Sequence, residues 1–462
     1  MASQTRDMTV GNIPRHLIAF SLPLLAGNFI EAAYNLTNAV WIGRGLGKTD
    51  LAAMSASLPI IFIISAAAMG MSAGTGILAA QYFGAKNEKN LSRAVHASCI
   101  LLFVLSVIVA VTAEIFTPTV LRALNTPENV LPEAVKYLRI IMYPLPFLFG
   151  AFRVLTLMRA VGDSRTPLIF QITSLVLNAV LDPILMFGWL GFPRMGIAGA
   201  AWATNVAHVY VYLAPVIYLY VTKGVVATHI RQLKNDWEMT KLILKMGTPA
   251  FVQNSIVSMS TTVVLGLVNG FGENAVATFG SALRIDGVIV LPAAAVAAAV
   301  STMVAQNVGS GKIRRVKKIY RWGLYVSGLT TAIVAAFVYF FPRLAIGMFT
   351  TDPILLDMGT DYLRIIAPTY LFLAVIFVTN GVISGAGHPL IPTITVVSAL
   401  CGIRLPLAYH FSRTRHSVNG VWYGIGARFF VYMMLSIIMY SLGFWKKQAI
   451  NTADPAETKE EK

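Results

Sequence analysis

"AAQYFGAK", residues 79–86, is answered far along the chain by "VAQNVGSGK", residues 304–312, so that Gln81 pairs with Gln306 and Gly84 with Gly309. The same register, an offset of about 225 residues, relates further segments. "YLRII" at 137–141 returns at 362–366. Pro23 pairs with Pro249 and Asn28 with Asn254, and "GDSRTPL" (162–168) faces "GHPL" (387–390). Asp182-Pro183 has Leu405-Pro406 as its counterpart. Chance supplies one such pair, but a collinear series means a duplicated chain.

Outward from these anchors, apolar runs long enough to cross a bilayer recur from end to end. They predict spans at 16–42, 51–82, 92–118, 131–158, 166–190, 196–222, 241–270, 275–307, 316–342, 355–385, 390–411 and 419–445. The composition agrees. The chain is 56% hydrophobic and 12% charged, against about 25% charged for a soluble domain. Its mean hydropathy is +0.69. The expected fold is an all-α polytopic membrane protein of twelve transmembrane helices. Six spans per copy leave both copies in the same orientation, which makes a parallel repeat of two six-helix lobes about an axis along the membrane normal.

The expected domains are an N-lobe over 1–222, a cytoplasmic linker over 223–240, a C-lobe over 241–446 and a disordered cytoplasmic tail over 447–462. The first apolar run is too long for a cleaved signal peptide. The formal net charge of +16 suggests nucleic acid in a soluble protein, but here it sorts by side. Between the spans, 16 of the Lys and Arg fall in the termini and even-numbered loops and 7 in the odd-numbered ones, which places both termini in the cytoplasm. The expected location is the inner (plasma) membrane, with no nucleic-acid partner. Two cysteines, Cys99 and Cys401, lie on separate spans and argue against a disulfide framework. No phosphate-binding G-x-x-x-x-G-K-[ST] motif, histidine metal cluster or nucleophile constellation is present, so an enzyme or an ATP-driven pump is not expected, nor is a cofactor.

Ionisable groups inside spans are costly and mark function by default. In the first copy they are Glu31 and Asp182, with Arg153 the expected cation; in the second they are Arg284 and Asp286, with Arg404 and Arg428 further on. In "NAVLDP", Asn178 and Asp182 share a helix face at i and i+4. Pro183 frees the carbonyl of Ala179. Oxygens of this kind suit a hard cation such as Na⁺, whereas a proton needs only the carboxylate. In "EAAYNLTN", Glu31, Asn35 and Asn38 form one stripe beside Tyr34, and Thr204 can add a hydroxyl. Interhelical hydrogen bonding is the alternative use of these groups. Arg284 and Asp286, two apart, cannot face each other on a straight helix, so each needs a partner elsewhere. Gln253, Asn380, Met69 and Tyr143 are further candidates for an adaptable substrate cavity.

Together the "YNLTNAVWIG" first span, the two Gln-containing helix ends and "LNAVLDP" resemble the multidrug and toxic compound extrusion (MATE) family of the MOP superfamily, over residues 10 to 446. The resemblance implies a monomeric secondary antiporter that exports organic, mainly cationic amphipathic compounds in exchange for H⁺ or Na⁺ by alternating access. It implies a coupling-ion site at Asn38, Asn178, Asp182 and Thr204, with Glu31 as a further acid and possible Na⁺ binding at Asp182. Pro23, Pro183 and Pro249 become hinges. The second copy, with Arg284 and without the first-span and fourth-span site carboxylates of one major branch of the family, looks like the DNA-damage-inducible F (DinF) branch. Many relatives carry Asp where this chain has Asn38. A second reading is a flippase for lipid-linked saccharides or another amphipathic lipid, which calls for a basic cavity.

Overall fold

The computed structural model describes residues 5–124, 126–415 and 418–447. The tail beyond 447 lies outside the described residues, as does the side chain of Asn35 within its helix. Among the described residues the chain is helical throughout, with no strand. Eleven helical spans are long and apolar enough to cross a membrane, and a bent pair makes a twelfth.

Seven helices build the first part: α1 (Ile13–Gly45), α2 (Lys48–Gly84), α3 (Glu88–Ala123), α4 (Leu131–Met142), α5 (Leu145–Ala160), α6 (Arg165–Phe187) and α7 (Ile197–Val221). The second part follows: α8 (Trp237–Asn269), α9 (Glu273–Gly309), α10 (Ile313–Phe340), the short α11 (Pro342–Gly347), α12 (Pro353–Ile366), α13 (Tyr370–Gly385), α14 (Leu390–Ala399), α15 (Leu405–Arg415) and α16 (Val418–Ser441).

Three predicted spans are not single regular helices. The span predicted over 131–158 breaks between α4 and α5 with a bend of 51°. Pro144 and Pro146 cause it, because neither can donate to the helical ladder and each restrains the residue before it. The span predicted over 355–385 is interrupted by a 3₁₀ turn at Ala367–Thr369, centred on Pro368. The span over 390–411 contains a π-helical turn at Leu400–Arg404, just before Pro406 takes away the hydrogen bond to the Gly402 carbonyl. The helix predicted to reach 190 ends at Phe187, where Gly188 adopts φ 77° and satisfies the αL cap.

The helix starts have local causes. The Asn87 side chain accepts from Asn90 N at the head of α3. Asp163 Oδ1 accepts from Arg165 N and Thr166 N at the head of α6, and Asp352 accepts from Ile354 N ahead of α12. Each occupies an otherwise orphaned donor.

The chain forms two compact units, residues 1–7 with 26–251 and residues 8–25 with 252–462. Two of the three boundaries fall inside α1 and α8, each just past a proline, Pro23 and Pro249. In the first unit, Leu138, Phe149 and Met186 are core residues at or below 2% exposure. Small residues allow close backbone approach: a Cβ added at Gly70 would lie 2.5 Å from Phe251 N, and one at Gly74 would lie 2.5 Å from Gly247 N. In the second unit Phe279, Tyr362 and Trp422 form an aromatic cluster, with Phe279 stacked on Trp422 at 5.5 Å. Leu17 and Phe20 of α1 pack with Met303 and Val304 of α9. The Gln306 side chain accepts from Met8 N at 2.9 Å, and Asn307 Nδ2 donates to Met8 O at 3.2 Å. The second copy of the repeated Gln motif therefore satisfies the backbone of the segment that leads into α1.

Candidate functional site

Polar side chains gather in two places, one in each unit. In the first unit α6 presents Asn178 and Asp182 on one face, and both are fully buried. Asn178 Nδ2 donates to Asp182 Oδ1 at 3.3 Å. From α1, Asn38 Nδ2 donates to Thr204 Oγ1 of α7 at 3.3 Å. Tyr34 connects the two pairs: its hydroxyl lies near Asn38 and Thr204 and within electrostatic range of Asp182. That hydroxyl is buried without an aligned hydrogen bond. Tyr137, the first residue of "YLRII", is buried within electrostatic range of Asp182.

Three oxygens of this cluster lack a donor. Asn38 Oδ1, Asn178 Oδ1 and Asp182 Oδ2 are all buried and accept no hydrogen bond. A buried acceptor without a donor costs about 1–3 kcal/mol, and three at one place form a cradle for a positive charge. Glu31 lies apart from them. It lines a cavity of about 130 Å³ with Tyr34, Phe152, Gln171, Ser174 and His208. Its cationic neighbour is Arg159, which donates to Gln171 Oε1 at 3.1 Å.

The expectation that Arg153 is the cation of this site is corrected. Arg153 is 1% exposed, and its Nη1 donates to Val95 O and Thr228 Oγ1, both at 3.2 Å. It ties the connection after α7 to α3. A guanidinium carries five donors, and here the terminal Nη1 is taken up by one helix oxygen and one loop oxygen.

In the second unit Asp286 of α9 accepts from Tyr362 OH at 2.6 Å and from Tyr370 OH. Arg404, placed by the π turn, donates from Nη1 to Ser260 Oγ at 3.2 Å. The Arg428 guanidinium lies 4.1 Å from the Phe429 ring centre. Asn380 donates to Tyr432 OH at 2.7 Å. Asp286, Gln253 and Asn380 share the wall of a cavity of about 420 Å³.

Other candidates sit elsewhere. Arg284 is exposed, with its guanidinium 5.9 Å from the Phe349 ring centre. Met69 is 44% exposed and Tyr143 is 80% exposed, and neither lines these two cavities. Asn35 falls outside the described side chains. Among the described residues no group of three His, Cys, Asp or Glu forms a metal cluster.

Sequence reasoning passed over Arg159, Tyr137 and Tyr362. A signal for the tyrosines was present, since both open the repeated "YLRII", and each lies within electrostatic range of the carboxylate of its own unit.

The MatE family profile matches residues 23–184 and again residues 249–410. The chain belongs to the MatE family. A Bacillus subtilis (strain 168) protein named "Probable multidrug resistance protein YoeA" is 33% identical to this MatE chain over 450 residues, covering 96% of this chain and 97% of its own. A second from the same strain, "Probable multidrug resistance protein YpnP", is 32% identical over 446 residues, covering 96% and 99%. The solved structure described as MATE in the bent conformation has a TM-score of 0.89 at 24% identity, covering 96% of this chain and 98% of that one. The MatE chain is thus a multi-pass membrane protein and a secondary transporter of the multidrug-efflux type, not an enzyme.

Proposed function

We propose that this transporter exports organic, mainly cationic amphipathic compounds in exchange for H⁺ or Na⁺, with Asp182 as the coupling-ion residue. The observation that carries this reading is the trio of buried, donorless oxygens at Asn38, Asn178 and Asp182. A bound proton supplies the missing donor to Asp182. A bound Na⁺ draws on all three oxygens and on Thr204 Oγ1, a set of hard ligands suited to it. Glu31, set against Arg159, is a separate acid on the wall of the neighbouring cavity.

The parallel two-lobe repeat supports alternating access around this site. It is supported by the double match of the family profile. Backbone detail supports it too: Gly47 and Gly272, Lys86 and Gly311, and Gly162 and Gly387 all have positive φ, each pair about 225 residues apart. The boundaries of the compact units beside Pro23 and Pro249 favour these prolines as hinges, and Pro183, inside α6 beside Asp182, is the third. The lobes assigned are 1–222 and 241–446, joined by 223–240. The excess of Lys and Arg in the termini and even-numbered loops favours cytoplasmic termini in the plasma membrane. The DinF-like branch and a monomeric state complete the proposal.

The test is efflux of a fluorescent cation from proteoliposomes with Na⁺ and pH gradients imposed separately. Wild-type protein pumps under one gradient and Asp182→Asn does not; an Asp182→Asn protein that still pumps removes Asp182 from the coupling role. The flippase reading needs a basic cavity. Of the four candidate arginines, Arg153 and Arg284 line neither of the two cavities described, while Arg404 and Arg428 share one.

A further inference from the structure

The cavity of the second unit has a charge pattern that the coupling-ion reading does not use. Its wall carries two guanidinium groups, Arg404 and Arg428, and one carboxylate, Asp286. The carboxylate is already engaged on both oxygens, by Tyr362 and Tyr370. Among the described residues neither arginine closes an ion pair with it.

The arginines are correspondingly short of acceptors. Arg404 is 4% exposed; one nitrogen reaches Ser260, and its Nε is buried with nothing to donate to. Arg428 leans on the Phe429 ring, and its Nε is buried and unpaired as well. The indole N–H of Trp422, whose ring packs edge-on against Tyr362 at 5.0 Å, is a third buried donor without an acceptor. Leaving charged donors unmatched is expensive. A structural ion triad would have spent them on Asp286, and the tyrosines have taken that acceptor instead.

We propose that this cavity is a binding site for the acidic head of an amphipathic molecule, a carboxylate or phosphate held between Arg404 and Arg428. Guanidinium groups suit such planar or tetrahedral oxyanions because each offers two parallel donors. A volume of about 420 Å³ is in the range of pockets for drug-sized ligands and far larger than a halide requires. Leu283, Leu373, Phe377 and Phe429 line the same cavity and receive the apolar part of the ligand. Asp286 acts as a positioning residue: it fixes the two tyrosines and keeps the site from carrying the full charge of both arginines. The site is independent of the proposed ion site at Asp182.

The test uses purified full-length protein in nanodiscs and three probes of one ring system: 2-naphthoate, 2-naphthyl phosphate and 2-naphthylmethylammonium. Calorimetry is expected to show both anions binding at least about tenfold more tightly than the cation. Arg404→Gln and Arg428→Gln each weaken anion binding by about tenfold or more, while Arg284→Gln, outside the cavity, leaves it unchanged. Asp182→Asn keeps anion binding even where it stops ion-driven efflux, so the two proposals fail separately.

Equal affinity for the cation, or full anion binding by both arginine variants, overturns the site. Melting without probe separates it from a structural role. Removing an unpaired buried cation leaves the melting temperature at or above that of wild type, whereas loss of a structural ion pair lowers it, and a lowered value in both variants counts against the proposal. Adding phosphatidylglycerol to the nanodisc distinguishes the ligand's source. Competition with 2-naphthoate assigns the site to a lipid headgroup, and its absence assigns it to a soluble acid.

Discussion

The two polar clusters of this MatE chain leave different kinds of group unmatched. In the first unit, Asp182, Asn178 and Asn38 leave three buried oxygens without donors. In the second, Arg404, Arg428 and Trp422 leave three buried N–H groups without acceptors, while the carboxylate is saturated by tyrosines. Both clusters sit in similar all-helical surroundings, and in both a tyrosine from "YLRII" lies within electrostatic range of the acid. On the proposed two-lobe repeat, the scaffold is kept and the chemistry has diverged. The difference teaches that an intramembrane carboxylate is defined by its partners: one with a free oxygen is available to a cation, and one held on both sides is part of the wall.

The largest effect that bears on this contrast is expected at Asp182. Asp182→Asn preserves shape and removes the charge, and ion-driven efflux in proteoliposomes is expected to fall by about two orders of magnitude, since a site of this kind has one titratable group. Asp286→Asn is the matching change in the second unit. It is expected to leave coupling intact and to lower stability instead, by about 2–3 kcal/mol, because two hydrogen bonds to a charged acceptor weaken together. The readouts are efflux and thermal melting on the same preparations. If the two variants exchange phenotypes, the contrast drawn between the clusters is wrong.

A smaller effect is expected when the first cluster is given a second acid. Asn38→Asp adds a second carboxylate beside Thr204 and Tyr34, and the concentration of coupling ion that half-saturates transport is expected to fall about tenfold. No change would mean that Asn38 Oδ1 does not face the bound ion. Gly74→Leu probes the scaffold. The backbone of Gly247 leaves no room for a side chain at Gly74, so a loss of about 1–3 kcal/mol from overpacking is expected, read as reduced melting temperature with ion selectivity unchanged.

Much of this organisation was legible in the sequence. Apolar run length gave the spans because a bilayer sets a minimum length. Asn178 and Asp182 could be placed on one face because helical geometry fixes i and i+4. The breaks at Tyr143–Pro144 and at Pro368 were less legible, since a proline can be absorbed in a helix, as Pro23 and Pro183 are, or can break it. Arg153 was misplaced for a related reason. Periodicity says that a side chain is inside, but not which of its neighbours it meets, and Arg153 meets the carbonyl of Val95 rather than a carboxylate. The partners of Asp286 lie on helices 76 and 84 residues away, and only tertiary packing reveals such pairs.

The smallest effect belongs to an ion pair outside both clusters, which sets the scale for a charge that serves structure alone. Arg93 Nε lies 2.6 Å from Asp236 Oδ2, and Asp236 also accepts from Met239 N at the start of α8. The Arg93 hydrogen bond holds the Asp236 carboxyl below the usual carboxylate range. A depressed acid contributes stability that is present above its unfolded value and is lost as pH falls through the folded one. Its contribution is therefore complete above about pH 4 and disappears below it. The Arg93 side chain is 36% exposed, so solvent screening limits the pair to about 0.5–1 kcal/mol. Asp236→Asn is expected to lower the melting temperature slightly at neutral pH and to match wild type in acid, with ion coupling and anion binding both unchanged. A large loss of efflux in this variant would show that charges far from Asp182 govern transport, and the contrast between the two clusters would then not explain it.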